Sequence, residues 1–309
     1  MEKKATRDAL GAEVLALGLE HKDVFVIDCD VAKSCKTLEF AAKLSEQHIN
    51  VGISEQNAVG IAAGLATTGK VPFVVTYAIF GSMRAVEQIR QETCYTKLNV
   101  KILCSHGGLT PANDGASHQC VEDMGILRTI PNMTVIMPAD YNSARKLIAA
   151  AYKYNGPVYL RFTRDAIPCI YGEDEEFEIG KAKCLKEGKD LTIMANGDTV
   201  SIALEAAKKL EEEGIHAQVY DFHTIKPLDV DAVNKAIEEN GKIITVEDHN
   251  IINGLGSAVC EIVAEAGKGK VHRIGVQDQF GESAPYEELL KKNGITSENI
   301  VKCAKDMID

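Results

Sequence analysis

The chain lacks several features that announce a protein class directly. Its nine cysteines, Cys29, Cys35, Cys94, Cys104, Cys120, Cys169, Cys184, Cys260 and Cys303, form an odd set without a CxxC pair. That excludes a disulfide framework or zinc finger as the organising principle and points to reduced, mostly buried thiols. No apolar stretch reaches the roughly 18 residues of a membrane span, and the opening MEKKATRDALG carries charge where a signal peptide has an apolar core. The expectation is a soluble, cytoplasmic chain without a membrane partner. Basic charge is also scarce: 34 Lys and Arg stand against 45 Asp and Glu, a net charge of −11 at pH 7. Attraction to nucleic-acid phosphates is therefore not expected. A GxSxG elbow is absent, which argues against an α/β hydrolase. No pattern recurs with a period of about 20–50 residues, so a solenoid is not expected either.

What is present has the rhythm of two α/β domains. At about 100–200 residues per domain, 309 residues allow two cores. Short β-branched runs recur at VFVID (24–28), VPFVVTYAIF (71–80), VKILCS (100–105), MTVIMP (133–138) and PVYLRF (157–162). Helical spacing lies between them, as in AVEQIRQETCY (85–95) and YNSARKLIAAAYKY (141–154). Continuously apolar strands alternating with helices predict a parallel sheet covered on both faces. The second half repeats the rhythm with LTIMA (191–195), AQVYDF (217–222), KIITVED (242–248) and VHRIGV (271–276). Its helices over 201–214 and 229–241 end at glycines, as left-handed caps prefer. The acidic segment YGEDEEFEIGKAKCLKEGKD (171–190) reads as a solvated connection. The expected division is a first domain over 1–165, a linker over 166–188 and a second domain over 189–309. Charge follows it: residues 1–165 carry 18 basic and 17 acidic side chains, residues 166–309 carry 16 and 28. Seven of the eight arginines lie in the first half, where fork-shaped recognition of phosphate is expected.

A few residues stand out chemically. The segment VGISEQNAVGIAAGLATTGK (51–70) predicts a packed helix of small and apolar residues, with Glu55 as its odd member. That carboxyl is either an exposed first-turn acid favoured by the helix dipole, or a buried group that must be paired, protonated or used. SHGGLTPANDGASHQ (105–119) follows a strand directly and puts His106, Asp114 and His118 on a glycine-rich loop suited to a polar ligand. Their spacing fits no helical zinc pattern, so no metal site is expected in this chain. Arg161 lies near the carboxyl end of the strand PVYLRF and Arg164 follows it, and Ser34 follows VFVIDCD. Successive loops over one sheet edge would then bring serine, histidine and arginine to a small phosphorylated, hydroxylated molecule. The NGLGSAV loop (253–259) has two of the three glycines of a dinucleotide fingerprint and reads as a structural turn.

In this order, GISEQNAVGIAAGLA, VTYAIFGSMRAVEQIR, SHGGLTPANDGASHQ and IPNMTVIMPAD resemble the pyrimidine-binding domain of transketolase. DFHTIKPLD and ITVEDHNIINGLGSAV resemble its carboxy-terminal domain, so the resemblance covers nearly the whole chain. It implies an α/β fold of two domains, a parallel-sheet thiamine-diphosphate pyrimidine-binding domain followed by a smaller α/β carboxy-terminal domain. The GDG motif with which transketolases bind the cofactor's diphosphate and divalent metal does not occur. The chain therefore resembles the carboxy-terminal subunit of a split transketolase. The implied partner is an amino-terminal, diphosphate-binding subunit, most simply in an α2β2 heterotetramer. Thiamine diphosphate would be shared with that partner, which would mainly hold the Mg2+ or similar ion.

The resemblance also implies roles. Glu55 matches the glutamate that bonds the cofactor's aminopyrimidine ring, a task for a carboxyl group held away from water. Tyr77 and Phe80 match aromatics that pack on that ring. A third aromatic of some members corresponds to Met83, which alters that wall. Arg7, Ser34, His106 and Arg164 match binders of the sugar phosphate, while Asp114 and His118 match groups reading its hydroxyls. His118 also matches a catalytic group near the reacting carbonyl. His21, His48, His216, His223, His249 and His272 acquire no catalytic role. The implied reaction moves a two-carbon ketol unit from a ketose phosphate to an aldose phosphate, as in the non-oxidative pentose phosphate pathway. Other classes compatible with the same halves are the beta subunit of a 2-oxoacid dehydrogenase, a deoxyxylulose-phosphate-synthase-like subunit, and a non-catalytic scaffold. The first two are set apart by their acceptors, and the scaffold is disfavoured by the presence of Glu55 and Asp114.

Overall fold

Strands that are apolar on both faces are stable only between two layers of helix, and that requirement organises most of this chain. A computed structural model describes residues 2–308. Its strands are β1 (Lys3–Lys4), β2 (Val24–Asp28), β3 (His48–Asn50), β4 (Val71–Tyr77), β5 (Lys101–Ser105), β6 (Thr134–Ile136), β7 (Val158–Arg161) and β8 (Ile167–Pro168), then β9 (Lys183–Lys186), β10 (Leu191–Ala195), β11 (Ala217–Asp221), β12 (Thr224–Lys226), β13 (Lys242–Asn250) and β14 (Lys270–Val276). The larger sheet has the order β12-β6-β7-β5-β4-β2-β3, and the smaller has the order β14-β13-β10-β11-β9. Every pairing within them is parallel except at two edges, where β12 runs antiparallel to β6 and β9 antiparallel to β11. The fold is the α/β architecture expected, with the smaller sheet following the larger.

Two features depart from the sequence pattern. Strand β12 belongs by sequence to the second half yet completes the edge of the first sheet. One buried cluster accordingly runs from Ile27 and Val74 through Met137 to Met194, Tyr220 and Phe222, so both sheets share a core. The expected strand over 71–80 ends at Tyr77, and the following segment winds into wide π-helical turns over Phe80–Arg84 and Ile89–Cys94. Ser82 Oγ bonds the Ala78 carbonyl at 2.6 Å and Thr93 Oγ1 the Ile89 carbonyl at 2.6 Å. Hydroxyls that compete for helix carbonyls in this way locally distort the ladder.

The helices expected over 141–154, 201–214 and 229–241 form at Tyr141–Lys153, Thr199–Glu212 and Val230–Glu239. The helix Tyr141–Lys153 starts from a capping box between Asp140 and Ser143. The other Asp140 oxygen accepts from the backbone of Ile170 and Tyr171 at 2.7 and 2.8 Å, which anchors the chain leaving β8. The acids Glu173–Glu176 are exposed, as solvated charges should be, while β9 pairs at the edge of the smaller sheet. All nine cysteines are free and six of them are buried. No helix among the described residues is long and apolar enough to cross a membrane.

Candidate functional site

Strands β7, β5, β4 and β2 are neighbours, and their carboxyl ends open on one edge of the larger sheet. Loops leaving that edge carry Ser34 after β2, Phe80 after β4, His106 after β5 and Arg164 after β7. Local bonds hold each loop in place. Asp28 accepts from the Val31 amide at 2.8 Å and from Thr37 Oγ1 at 2.8 Å, closing the loop that bears Ser34. The Thr163 amide donates to Thr6 Oγ1 at 2.7 Å, and the Thr6 amide returns a bond to Thr163 Oγ1 at 3.3 Å. This reciprocal pair sets Arg7 and Arg164 in adjacent segments. Arg7 then donates to the Ser34 carbonyl at 3.2 Å, and its buried Nε is without a hydrogen-bond partner. Arg164 donates to the Pro111 carbonyl at 2.7 Å and lies 3.6 Å from Asp114.

Aromatic rings line the middle of this edge. Tyr77 stacks on His106 with centroids 4.0 Å apart and on Phe80 at 6.1 Å. His118 meets Tyr77 and Phe80 edge-on at 6.1 and 5.8 Å. His106 has φ +63°, an uncommon conformation for a residue with a side chain, and is 2% exposed. Burial, followed by the positive charges of Arg7 and Arg164, pushes its pKa down to about 3. It is a neutral imidazole throughout the physiological range.

Glu55 opens the helix Glu55–Thr67 and is 2% exposed, so the buried alternative of the sequence reading applies. Its partner is Arg84, whose Nη1 lies 2.7 Å from Glu55 Oε2 and whose guanidinium covers Phe80 at 4.3 Å. Arg84 is a residue the sequence reading missed. The available signal was physical: a buried carboxyl demands a cation, but the chain offers several arginines and no rule for choosing among them. Met83 packs half-buried against the shared core.

Arg161, expected at the same edge, lies elsewhere in function. It is fully buried, 3.5 Å from Asp123 and 3.8 Å from Asp248, and donates to the Asp248 carbonyl at 2.5 Å. The Asp248 carboxylate receives the Leu109 amide at 3.1 and 2.9 Å, and Asp123 receives the Tyr159 hydroxyl at 2.5 Å. A Cβ at Gly107 or Gly108 would collide with Arg161, and Gly108 also has φ +60°. The two glycines therefore let the loop carrying His106 settle directly on a buried charge network contributed by both halves of the chain. Among the described residues, no group of three or more His, Cys, Asp and Glu is disposed to hold a metal ion.

The arrangement thus combines cationic donors, a neutral imidazole, stacked rings and one buried carboxyl on a single sheet edge. Comparison with known proteins identifies relatives over the same extent. The family "Transketolase, pyrimidine binding domain" matches residues 2–169, and "Transketolase, C-terminal domain" matches residues 180–300. A transketolase C-terminal section of Methanocaldococcus jannaschii is 45% identical over 302 residues, covering 97% of this chain and 95% of that protein. One of the apulose-4-phosphate transketolase subunits of Phocaeicola vulgatus is 40% identical over 305 residues, covering 98% of this chain and 97% of that protein. A solved structure described as a split gene transketolase, inactive beta4 tetramer, superposes with a TM-score of 0.91 at 43% identity, covering 99% of both chains.

Proposed function

The chain belongs to the transketolase family of transferases, and from that premise we propose that it is the substrate-facing subunit of a split transketolase. The activity proposed is transfer of a two-carbon ketol unit from a ketose phosphate to an aldose phosphate, in the cytoplasm, in the non-oxidative pentose phosphate pathway. Residues 1–165 form the pyrimidine-binding part, 166–188 the connection and 189–309 the carboxy-terminal part. The carrying observation is the meeting of Arg7, Ser34, His106 and Arg164 beside the Tyr77 and Phe80 rings.

The residues fit thiamine diphosphate at its pyrimidine end. A flat heterocycle needs an aromatic wall and a carboxyl group away from water; Tyr77 and Phe80 lie within 25° of coplanar, and Glu55 is buried next to them through Arg84. When bound, the cofactor supplies the nucleophilic carbon and the electron sink of ketol transfer. Glu55 would hold a proton at a nitrogen of that heterocycle, and the Tyr77 and Phe80 rings would exclude water from it. Arg7 and Arg164 would bind the sugar's phosphate, aided by Ser34 and by a hydrogen bond from His106. The orphaned Nε of Arg7 is a donor available for that role. Asp114, kept in place by Arg164, and His118 would read hydroxyls, and His118 would donate to the substrate oxygen that gains charge.

Mg2+ and the diphosphate are assigned to an amino-terminal partner subunit, most simply in an α2β2 assembly, because the GDG motif that binds them in transketolases does not occur in this sequence. The related split enzyme described as an inactive beta4 tetramer supports the need for a second chain. The Phocaeicola relative named for apulose 4-phosphate makes the sugar the point to test. The experiment is ketol transfer to ribose 5-phosphate with thiamine diphosphate and magnesium, using this chain alone and mixed with the diphosphate-binding chain of the same organism. Activity in the mixture only is the expected result. Activity of the isolated chain would refute the two-chain reading, and transfer to a lipoyl domain in place of a sugar would select the 2-oxoacid alternative.

A further inference from the structure

The neutral His106 has one proton to place, and two ring nitrogens to choose from. Nδ1 is engaged by Ser105 Oγ at 2.7 Å. Nε2 has no hydrogen-bond partner among the described residues, so it is the nitrogen left for a ligand. Ser105 ends β5 fully buried, and its hydroxyl also contacts Cys35 Sγ at 3.1 Å. Cys35 is itself fully buried, and its sulfur lies 3.7 Å from the Thr76 carbonyl. Burial pushes the Cys35 thiol up to about 12, so it keeps its proton and acts as a donor.

These contacts form a directional chain with two settings. In one, the thiol proton goes to Thr76, Ser105 donates to the sulfur, and His106 donates from Nδ1, which leaves Nε2 as a bare acceptor. In the other, the thiol donates to Ser105 Oγ, Ser105 donates to Nδ1, and the imidazole proton sits on Nε2. The 3.1 Å contact between Cys35 Sγ and Ser105 Oγ accommodates a donor at either end, so the ligand decides between the settings, and the second is the one a phosphate selects. The same setting suits an anion beside Arg7 and Arg164, because a phosphate oxygen only accepts, and a bare Nε2 lone pair would repel it.

We propose that Ser105, its hydroxyl oriented by Cys35, is a positioning residue that holds His106 as the Nε2–H tautomer and so makes it a hydrogen-bond donor to the substrate's phosphate. This rests on the sugar-phosphate reading of the site and extends it to a residue behind the contact surface. Ser105 touches no substrate. Its effect is to decide which His106 nitrogen carries the proton, in the manner of the outer-shell groups that orient ligating histidines.

The test uses the assembled two-chain enzyme and two acceptors, ribose 5-phosphate and unphosphorylated ribose, with the variants Ser105→Ala, Ser105→Thr, Cys35→Ala and His106→Ala. Loss of one hydrogen bond to a charged group predicts a rise of about tenfold in KM for ribose 5-phosphate in Ser105→Ala, with kcat retained. Activity on ribose should be unchanged, Ser105→Thr should restore the KM, and Cys35→Ala should shift it in the same direction by less. Equal effects of Ser105→Ala on both acceptors would mean a general packing role and overturn the proposal. So would an unaltered KM in Ser105→Ala while His106→Ala loses its preference for the phosphorylated acceptor. If His106→Ala itself shows no such selective loss, the phosphate-binding assignment of His106 fails, and the tautomer proposal falls with it.

Discussion

Replacing Arg161 by methionine probes the support beneath the site without touching its surface. The guanidinium is fully buried at the seam between the two sheets, with Asp123 at 3.5 Å and Asp248 at 3.8 Å. Burial works against its charge, but these carboxylates hold its pKa above the ordinary value. Methionine fills much of the volume and strands two buried acids. Removing one partner of a buried pair costs about 3–5 kcal/mol. The lower end is expected here, because Arg161 Nε and Nη1 already have no hydrogen-bond partner. A loss of about 3 kcal/mol lowers the thermal midpoint by roughly 6 °C in a chain of this size.

The pH dependence makes the test sharper. Burial pushes Asp198 and Asp248 above the carboxylate range, Asp198 raises Asp248 further, and Arg161 draws both back down. A carboxyl group raised in the folded state binds more protons than it does unfolded. Its contribution is therefore lost as pH rises from the ordinary value near 4 through the folded value. Without Arg161 that window extends upward, so the variant should trail the parent most at about pH 8 and least at about pH 5. Thermal unfolding followed by circular dichroism at both pH values measures this. A midpoint within about 1 °C of the parent at pH 8, or a larger deficit at pH 5, would show that the acids need no cation, and the account of the seam would be wrong.

Other substitutions address the site and the frame separately. In the assembled enzyme Glu55→Ala should lower kcat by about 100-fold or more through loss of the assigned proton contact, while gel filtration still finds the complex; full turnover would reject the assignment. His106 is buried neutral, so its unfolded form takes up a proton below about pH 6.5 that the folded form refuses. That contribution to stability is lost as pH falls toward about 3. Urea titrations between pH 7 and about pH 5 should show a shallower loss in His106→Asn than in the parent, and identical slopes would contradict a buried neutral imidazole. Asp140→Ala removes the cap of the helix Tyr141–Lys153 and two bonds to Ile170 and Tyr171. It should cost about 2 kcal/mol, read as a drop of roughly 4 °C, and an unchanged midpoint would show that water replaces all of these bonds.

Much of the frame was legible along the chain because parallel strands are short and apolar, while their crossover helices carry a distinct spacing. LTIMA is β10 to the residue, and VFVID is β2. Elements whose identity depends on neighbours were less legible. TIK over 224–226 has no strong strand signal and becomes β12 only because the edge of β6 is open to it. Residues 78–80 read as the end of the strand and 85–95 as a regular helix, whereas the chain leaves the strand at Tyr77 and winds into wide helical turns in which Ser82 and Thr93 bond the carbonyls of Ala78 and Ile89.

The same division applies to the candidate site. Glu55, His106, Asp114 and His118 stand out as polar residues in apolar or glycine-rich surroundings, and Arg164 as a cation just after a strand, properties written locally in the order of side chains. The same local order carries the two α/β halves, the excess of acid in the second, and the family resemblance of the loop motifs. Which arginine answers Glu55, which one vanishes into the seam, and which hydroxyl meets His106 were decided only by the tertiary structure. Arg84, Arg161 and Ser105 differ little in sequence context. Their partners, 29, 38 and 87 and then 70 and 1 residues away, are chosen by sheet order and burial. A charge or hydroxyl acquires its meaning from the groups that folding brings within about 3 Å of it, and apart from the adjacent His106 those groups are remote in the chain.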